Sequence, residues 1–279
     1  MREHIEKHLP LVIRRQLDIR RDRRSLNSLS RRHVSLDMLR RASDFSFSFL
    51  EDPAIEKEWG RAEERFLPFA IPDGTGGVNP GDRRALFYLL RYLKARRVLE
   101  VGTHIGASTV HIAEALSLLR SEGEEVHLDT VDFRDVNDPD TKPWFHFSSE
   151  RPPRDYISDL ACLDIVDFHA CPATDFLPAG GDNYDLIFLD GSHAASSVYQ
   201  EVPLALERLN PGGLILLHDY FPALKPLWKK SKVIPGPCLA TDRLIDEGAS
   251  FQALPFGELP WPTKLGGRTT SLAILVRLA

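Results

Sequence analysis

The chain predicts an α/β fold: a seven-stranded, mostly parallel sheet with helices on both faces, preceded by a basic helical extension over residues 1–70. Three observations carry this. Short apolar runs, among them R-V-L-E-V at 97–101, V-H-L-D-T-V-D at 126–132 and Y-D-L-I-F-L-D at 184–190, have the length of buried parallel strands. Between them lie segments with helical spacing of apolar residues. A glycine-bearing turn, E-V-G-T-H-I-G-A-S at 100–108, stands where the first strand hands over to a helix.

In chain order, residues 1–45 read as helical, with Ile5, Leu9, Val12, Ile13 and Leu17 at near-helical intervals. Residues 46–70 form a second helical or irregular stretch around Trp59 and Phe66, and Pro72 to Gly77 is a loop. The body, 71–279, then alternates: strand 97–102, helix 107–120, strand 126–132, a polar insertion 134–153, helix 154–161 and strand 164–169. Strand 184–190, helix 195–209, strand 213–218, helix 240–248, and strands 250–256 and 269–278 follow. Ile112, Leu116 and Leu119, then Val198, Val202, Leu206 and Leu209, supply the apolar faces that cover a sheet. Pro203 should kink the second of these helices or delay its start.

Composition narrows the class. No apolar run approaches the ~20 residues that span a bilayer, so the chain reads as cytosolic. Cys162, Cys171 and Cys238 are an odd number without metal-ligand spacing, which argues against a disulfide framework. The net charge of −5 hides an asymmetry, because residues 1–42 hold 12 Lys/Arg against 5 Asp/Glu, a net of +7, leaving −12 for the rest. The arginines of this arm, Arg14 through Arg32, can pair with the acidic body or a second copy in a homo-oligomer, or meet an anionic membrane surface or nucleic acid.

Function is written in the turn at 100–108. Gly102 and Gly106 let backbone amides approach a ligand, and the following helix N-terminus favours a carboxylate or phosphate. A dinucleotide fingerprint needs G-x-G-x-x-G, but position 104 is His. The E-x-G-x-x-x-G form instead resembles motif I of the class I S-adenosylmethionine (SAM)-dependent methyltransferases. Further on, Y-D-L-I-F-L-D-G-S-H at 184–193 and L-N-P-G-G-L-I-L-L-H-D-Y at 209–220 resemble the group of catechol O-methyltransferase and, more closely, bacterial natural-product and sugar O-methyltransferases of D-G-x-H type. The likeness covers roughly residues 75–220 and implies a Rossmann-like fold with SAM as cofactor.

By that resemblance Glu100, Gly102, Thr103, His104 and Gly106 form the cofactor loop, Ser108 meets the methionine carboxylate and Asp132, closing the second strand, takes the ribose hydroxyls. Ala173 borders the adenine, and Val78 and Asn79 lie opposite the methionine moiety. Asp190, His218 and Asp219 fall on the family's divalent-cation positions, Asp190 also bordering the cofactor, and His193 on the step that carries its catalytic base. Methyl transfer to an alcohol needs that hydroxyl deprotonated, which a cation and an imidazole both assist. His218 stands where the family usually carries oxygen, and imidazole suits manganese, iron, nickel or zinc better than magnesium. A transition ion, a His218 standing behind the ligands, or no metal all remain open. In structural terms, His193 could equally cap the next helix, and His218-Asp219 could be a polar strand end.

The leading expectation is an O-methyltransferase acting on a hydroxyl of a small molecule: a sugar, glycoside or phenolic metabolite. An RNA methyltransferase using the Arg-rich arm is opposed by D-G-S-H in place of [N/D]-P-P-[Y/F] and by the acidic body. A non-catalytic SAM-binding assembly subunit is opposed by the retained Asp190, His193 and Asp219. Aromatic loops around Trp144 to Phe147 and Phe256 to Lys264 are expected on the rim of the active site.

Overall fold

A computed structural model describes residues 9–229 and 231–278; Ile5 and the first eight positions of the arm lie outside them. The sheet has seven strands in the order β3-β2-β1-β4-β5-β7-β6. They are β1 (Arg97–Val101), β2 (His127–Asp132), β3 (Val166–Ala170), β4 (Tyr184–Leu189), β5 (Leu209–Leu217), β6 (Phe251–Pro255) and β7 (Ala273–Arg277). The first five run parallel and β7 inserts antiparallel between β5 and β6. The predicted mostly parallel, Rossmann-like sheet is what forms. β5 starts four residues before the expected 213, and the last strand is five residues long.

Alternation along each strand splits the core into two layers. Val98, Leu128, Leu186, Phe188, Leu214 and Leu216 face one side, under α2 (Pro53–Phe66), α3 (Pro80–Leu93) and α4 (Ala107–Ser121). Leu99, Val131, Ile187, Leu189, Ile215 and Leu217 face the other. That side is covered by α7 (Ala195–Leu206), α8 (Gly236–Asp246) and the arm helix α1 (Leu11–Asn27). Short helices α5 (Pro153–Asp159) and α6 (Ala173–Phe176) flank β3. Pro203 sits inside α7, and Val198, Val202 and Leu206 are buried as their spacing predicts.

The expectation of helix through residue 45 is corrected. The α-helix ends at Asn27, and the chain then runs extended beside the sheet, with Leu39 bridging Gly213 and Arg41 bridging Arg277. Phe49, Leu50, Ile55 and Trp59 belong to the main core. No helix among the described residues is long and apolar enough to cross a membrane. The three cysteines are free.

Candidate active site

The sheet reverses its strand order between β1 and β4, and a crevice opens there at the carboxyl ends of the strands. Gly102 adopts φ 105°, and a Cβ on it would lie 2.4 Å from the Asp190 carbonyl oxygen. Gly191 answers it, since its Cβ would meet the Val101 side chain at 2.9 Å. These two glycines let the β1 and β4 ends touch, which explains why each strand ends in an acid-to-glycine turn. A larger residue at 102 therefore clashes with backbone, and not only with a ligand's path.

Beneath the loop, Glu100 is fully buried. Its Oε2 accepts from the Thr109 and Thr130 hydroxyls, both at 2.6 Å, and Thr103 pairs with Thr130 at 2.7 Å. Burial pushes the Glu100 carboxyl up to about 7 against the bonds of Ser108, Thr109 and Thr130. Glu100, Thr103 and Ser108 thus brace the loop from behind. Asp132 stands in front: Oδ2 accepts from the His104 amide at 3.0 Å, and Oδ1 accepts from the Arg134 amide at 3.1 Å and its Nε at 3.4 Å, leaving a lone pair on Oδ2 for a ligand hydroxyl.

A cleft of ≈ 670 Å³ spreads over this loop, and Gly102, His104, Asp132, Ala173, Asp190 and His193 all line it. Phe147 packs edge-on to His104 at 4.1 Å, so the 143–147 insertion reaches the rim as expected. The C-terminal aromatic run does not. Trp261 packs on Tyr88, and its indole nitrogen donates to the Gly81 carbonyl at 2.9 Å, which makes it core.

At the end of the cleft, four groups converge from β4, the turn after it and the end of β5. His193 Nε2 lies 3.2 Å from Asp190 Oδ1 and 3.4 Å from Asp219 Oδ2, and His218 Nδ1 lies 2.8 Å from Asp190 Oδ1. Helix α7 starts after Ala194 without a side-chain cap, so His193 is not used for capping. Burial pushes Asp190 up, but the charge of His218 and the contacts of both imidazoles hold its carboxyl at about 2. Burial works against charge on both imidazoles, yet the carboxylates prevail and raise them, His218 well above its ordinary value.

Two residues that sequence reasoning missed complete the wall. Asp82, fully buried in the first turn of α3, sets Oδ2 3.3 Å from His218 Nε2 and takes a bond from the Asn79 side chain at 2.6 Å. The spacing N-x-x-D at a helix start was the available signal, legible only as a cap. Glu201 is buried on the cleft side of α7, where burial pushes its carboxyl up to about 7 against the opposing charge of His193. It follows Ser197 at helical spacing, and both line the cleft. Val78 is in the core, Asn79 caps α3, and Gly106 caps α4 at φ 79°.

The residues fit a divalent ion. Donor atoms of Asp190, His193 and His218 lie within 4.8 Å of one another. Both His218 ring nitrogens are buried without an aligned hydrogen-bond partner, as is Asp82 Oδ1. One His218 nitrogen facing Asp190 and the other facing a buried Asp82 is the carboxylate–histidine–metal pattern of many metal sites. The tightest set includes His193 where Asp219 had been expected; Asp219 Oδ2 stands 3.8 Å from His218 Nδ1.

Residues 99–220, from β1 through the end of β5, match a family described as a methyltransferase domain. The segment that holds the loop and the cluster is therefore similar to methyltransferase domains. The match contains the loop, Asp132, Asp190, His193, His218 and Asp219. A provisionally named O-methyltransferase of Mycobacterium sp. (strain JLS) is 29% identical over 149 residues, 53% of this chain and 60% of its own length. Its counterpart in Mycolicibacterium vanbaalenii is 28% identical, over 53% of this chain and 58% of its own. The chain thus spans about three-fifths of the curated relatives it matches. Among solved structures, the O-methyltransferase TomG of Streptomyces achromogenes, involved in tomaymycin synthesis and solved with SAM, superposes with a TM-score of 0.52. Its identity is 20%, covering 86% of this chain and 97% of that one. An O-methyltransferase of Bacillus cereus, solved with S-adenosylhomocysteine, gives 0.51 at 16% identity, covering 94% and 100%. Likeness at these identities shows that this chain shares their fold.

Proposed function

We propose that this chain is a SAM-dependent O-methyltransferase acting on a hydroxyl of a small molecule, a sugar, glycoside or phenolic metabolite, with His193 as general base and a divalent cation held by Asp190, Asp219 and His218. The observation that carries it is the meeting of one cleft with two kinds of group: an Asp132-and-glycine loop for a ribose and a carboxylate-bearing tail, and an imidazole–carboxylate cluster beside it. SAM or its product occupies the solved relatives TomG and the Bacillus cereus enzyme.

The chain's own groups supply the remaining chemistry. Asp132 orients the cofactor sugar, and the glycine turn admits the chain bearing the sulfonium. His193 lines the cleft and its Nε2 takes the acceptor's proton, while Asp190 and Asp219, at 3.2 and 3.4 Å from that nitrogen, stabilise the resulting imidazolium. A bound cation would lower the acceptor hydroxyl's pKa. A bound cation would have to displace a proton from His218, which Asp190, Asp219 and Asp82 together hold on the ring.

The same Nε2 cannot both hold a cation and take a proton, so one experiment separates the roles. SAM affinity by calorimetry, manganese uptake and methyl transfer are measured on the parent and on His193→Ala. Turnover should fall by ~10²–10⁴-fold with SAM affinity and manganese uptake unchanged. Lost manganese uptake would make His193 a ligand. Full turnover in excess chelator would remove the cation from the reaction.

A further inference from the structure

We infer that the chain carries a second, separate transition-metal site at the edge of the sheet, built by His127 and Asp129 of β2 with Asp167 of β3. It uses none of the residues of the active site. On β2 the pair lies near the strand start, with Asp129 three residues and so about 10 Å before Asp132. Its side chains open onto a different cleft of ≈ 710 Å³.

The two strands supply mirrored pairs, His-x-Asp at 127–129 and Asp-x-His at 167–169. Alternation puts both members of each pair on one face, and the parallel register sets Asp129 beside Asp167. His127 Nε2 lies 3.5 Å from Asp129 Oδ1 and 3.6 Å from Asp167 Oδ2. Those separations exceed a good hydrogen bond, but they match the edge of a tetrahedron, about 3.4 Å, drawn around an ion with bonds of about 2.1 Å to nitrogen and oxygen. All three donor atoms fall within 4.8 Å of one another.

The central ligand is also oriented from behind. Asp129 Oδ1 accepts from His169 Nε2 at 2.7 Å, and Oδ2 accepts from the Tyr184 hydroxyl at 2.9 Å. Such outer bonds fix a metal-binding carboxylate and keep its remaining lone pair aimed at the ion. The His127 ring lies between the two carboxylates, so an ion bound there would take the place of its proton. One imidazole with two carboxylates selects zinc, cobalt, nickel or manganese over calcium, with the fourth position open to the cleft. The ion would clip edge strand β3 to β2 without taking part in methyl transfer.

The test uses the full chain, with zinc as the probe. Equilibrium dialysis counts bound zinc on the parent, on Asp167→Asn, whose side chain is mostly exposed, and on the double variant His127→Gln/Asp167→Asn. Anomalous scattering from a zinc-soaked crystal locates the ions. We expect an anomalous peak between His127 and Asp167, one equivalent fewer on the double variant, and at least tenfold weaker binding at that site in Asp167→Asn. Equal stoichiometry in parent and double variant, or no peak between the two strands, overturns the proposal. Zinc at the Asp190 cluster appears as its own peak, so neither result depends on the active-site reading.

Discussion

His104 and Asp219 both hold φ 52°, a left-handed backbone that costs a non-glycine residue about 1–3 kcal/mol. Each is held there by named bonds: His104 through its amide to Asp132, Asp219 through Ser271 at 3.3 Å. Glu100 stores free energy in another form, a buried carboxyl whose Oε1 has no partner. Its pKa, about 7 when folded against an ordinary 4.5, means the folded state binds its proton more tightly than the unfolded chain. The resulting stabilisation is fully present below about pH 4.5 and lost as pH rises through 7. Glu100→Gln keeps an acceptor for Thr109 and Thr130 but never ionises. Thermal melts should therefore show the variant gaining on the parent by up to ~3 kcal/mol between pH 5 and 8. Parallel melting curves over that range would place the Glu100 pKa near its ordinary value.

Elements explain why the Asp190, His193, His218 and Asp219 cluster was legible and Asp82 was not. The first four stand at strand ends or in the turn next to one, in runs of apolar residues that make a polar pair conspicuous. Asp82 reaches the same spot from α3, more than a hundred residues away in sequence, through packing that no local pattern records. Trp261 illustrates the reverse error: an aromatic in a Pro-rich loop reads as a rim, yet Arg84 stacks on it at 4.1 Å and it fills the core beside α3. α8 offers a test of how strictly the elements position His193. Gly236 opens that helix, and a Cβ there would lie 1.9 Å from the His193 carbonyl oxygen and 2.8 Å from the Ala195 nitrogen. Gly236→Ala must push the 193–195 segment or α8 aside. A displacement of about 1 Å should cost ~10²-fold in turnover while SAM binding, set by the β1 loop, is retained. Gly60→Ala, which meets no atom within 4 Å, is the control and should leave both unchanged. Equal turnover in the two variants would show that His193 tolerates a shifted loop.

For the whole molecule, the question is how far the domain depends on its N-terminal arm. Its charge marks it as a separable extension, yet its apolar residues are committed to the body: Ile19, Leu26 and Leu39 are buried among the residues of α7, α8 and β5. The backbone joins in as well, with the Arg40 amide donating to the Gly213 carbonyl and the Arg277 amide to the Arg40 carbonyl, both at 3.0 Å. Tyr199 of α7 accepts from the Arg32 amide at 3.0 Å, two residues from the Ser197 that lines the cleft. Three buried aliphatic side chains contribute ~5–9 kcal/mol, comparable with the whole stability of an ordinary domain. Arg20, Arg23 and Arg24 are instead exposed on α1, beside an exposed Leu11-Val12-Ile13 at its start. Two variants separate these roles. Deleting residues 1–41 should leave a protein that fails to fold or melts far below the parent, losing SAM binding with it. Arg20→Glu/Arg23→Glu/Arg24→Glu should melt within about 0.5 kcal/mol of the parent, as exposed changes usually do, and bind SAM unaltered. Its oligomeric mass by light scattering and its sedimentation with anionic vesicles then report what the basic face is for. A truncated chain that melts and binds SAM like the parent would show that the packed arm adds nothing to the domain.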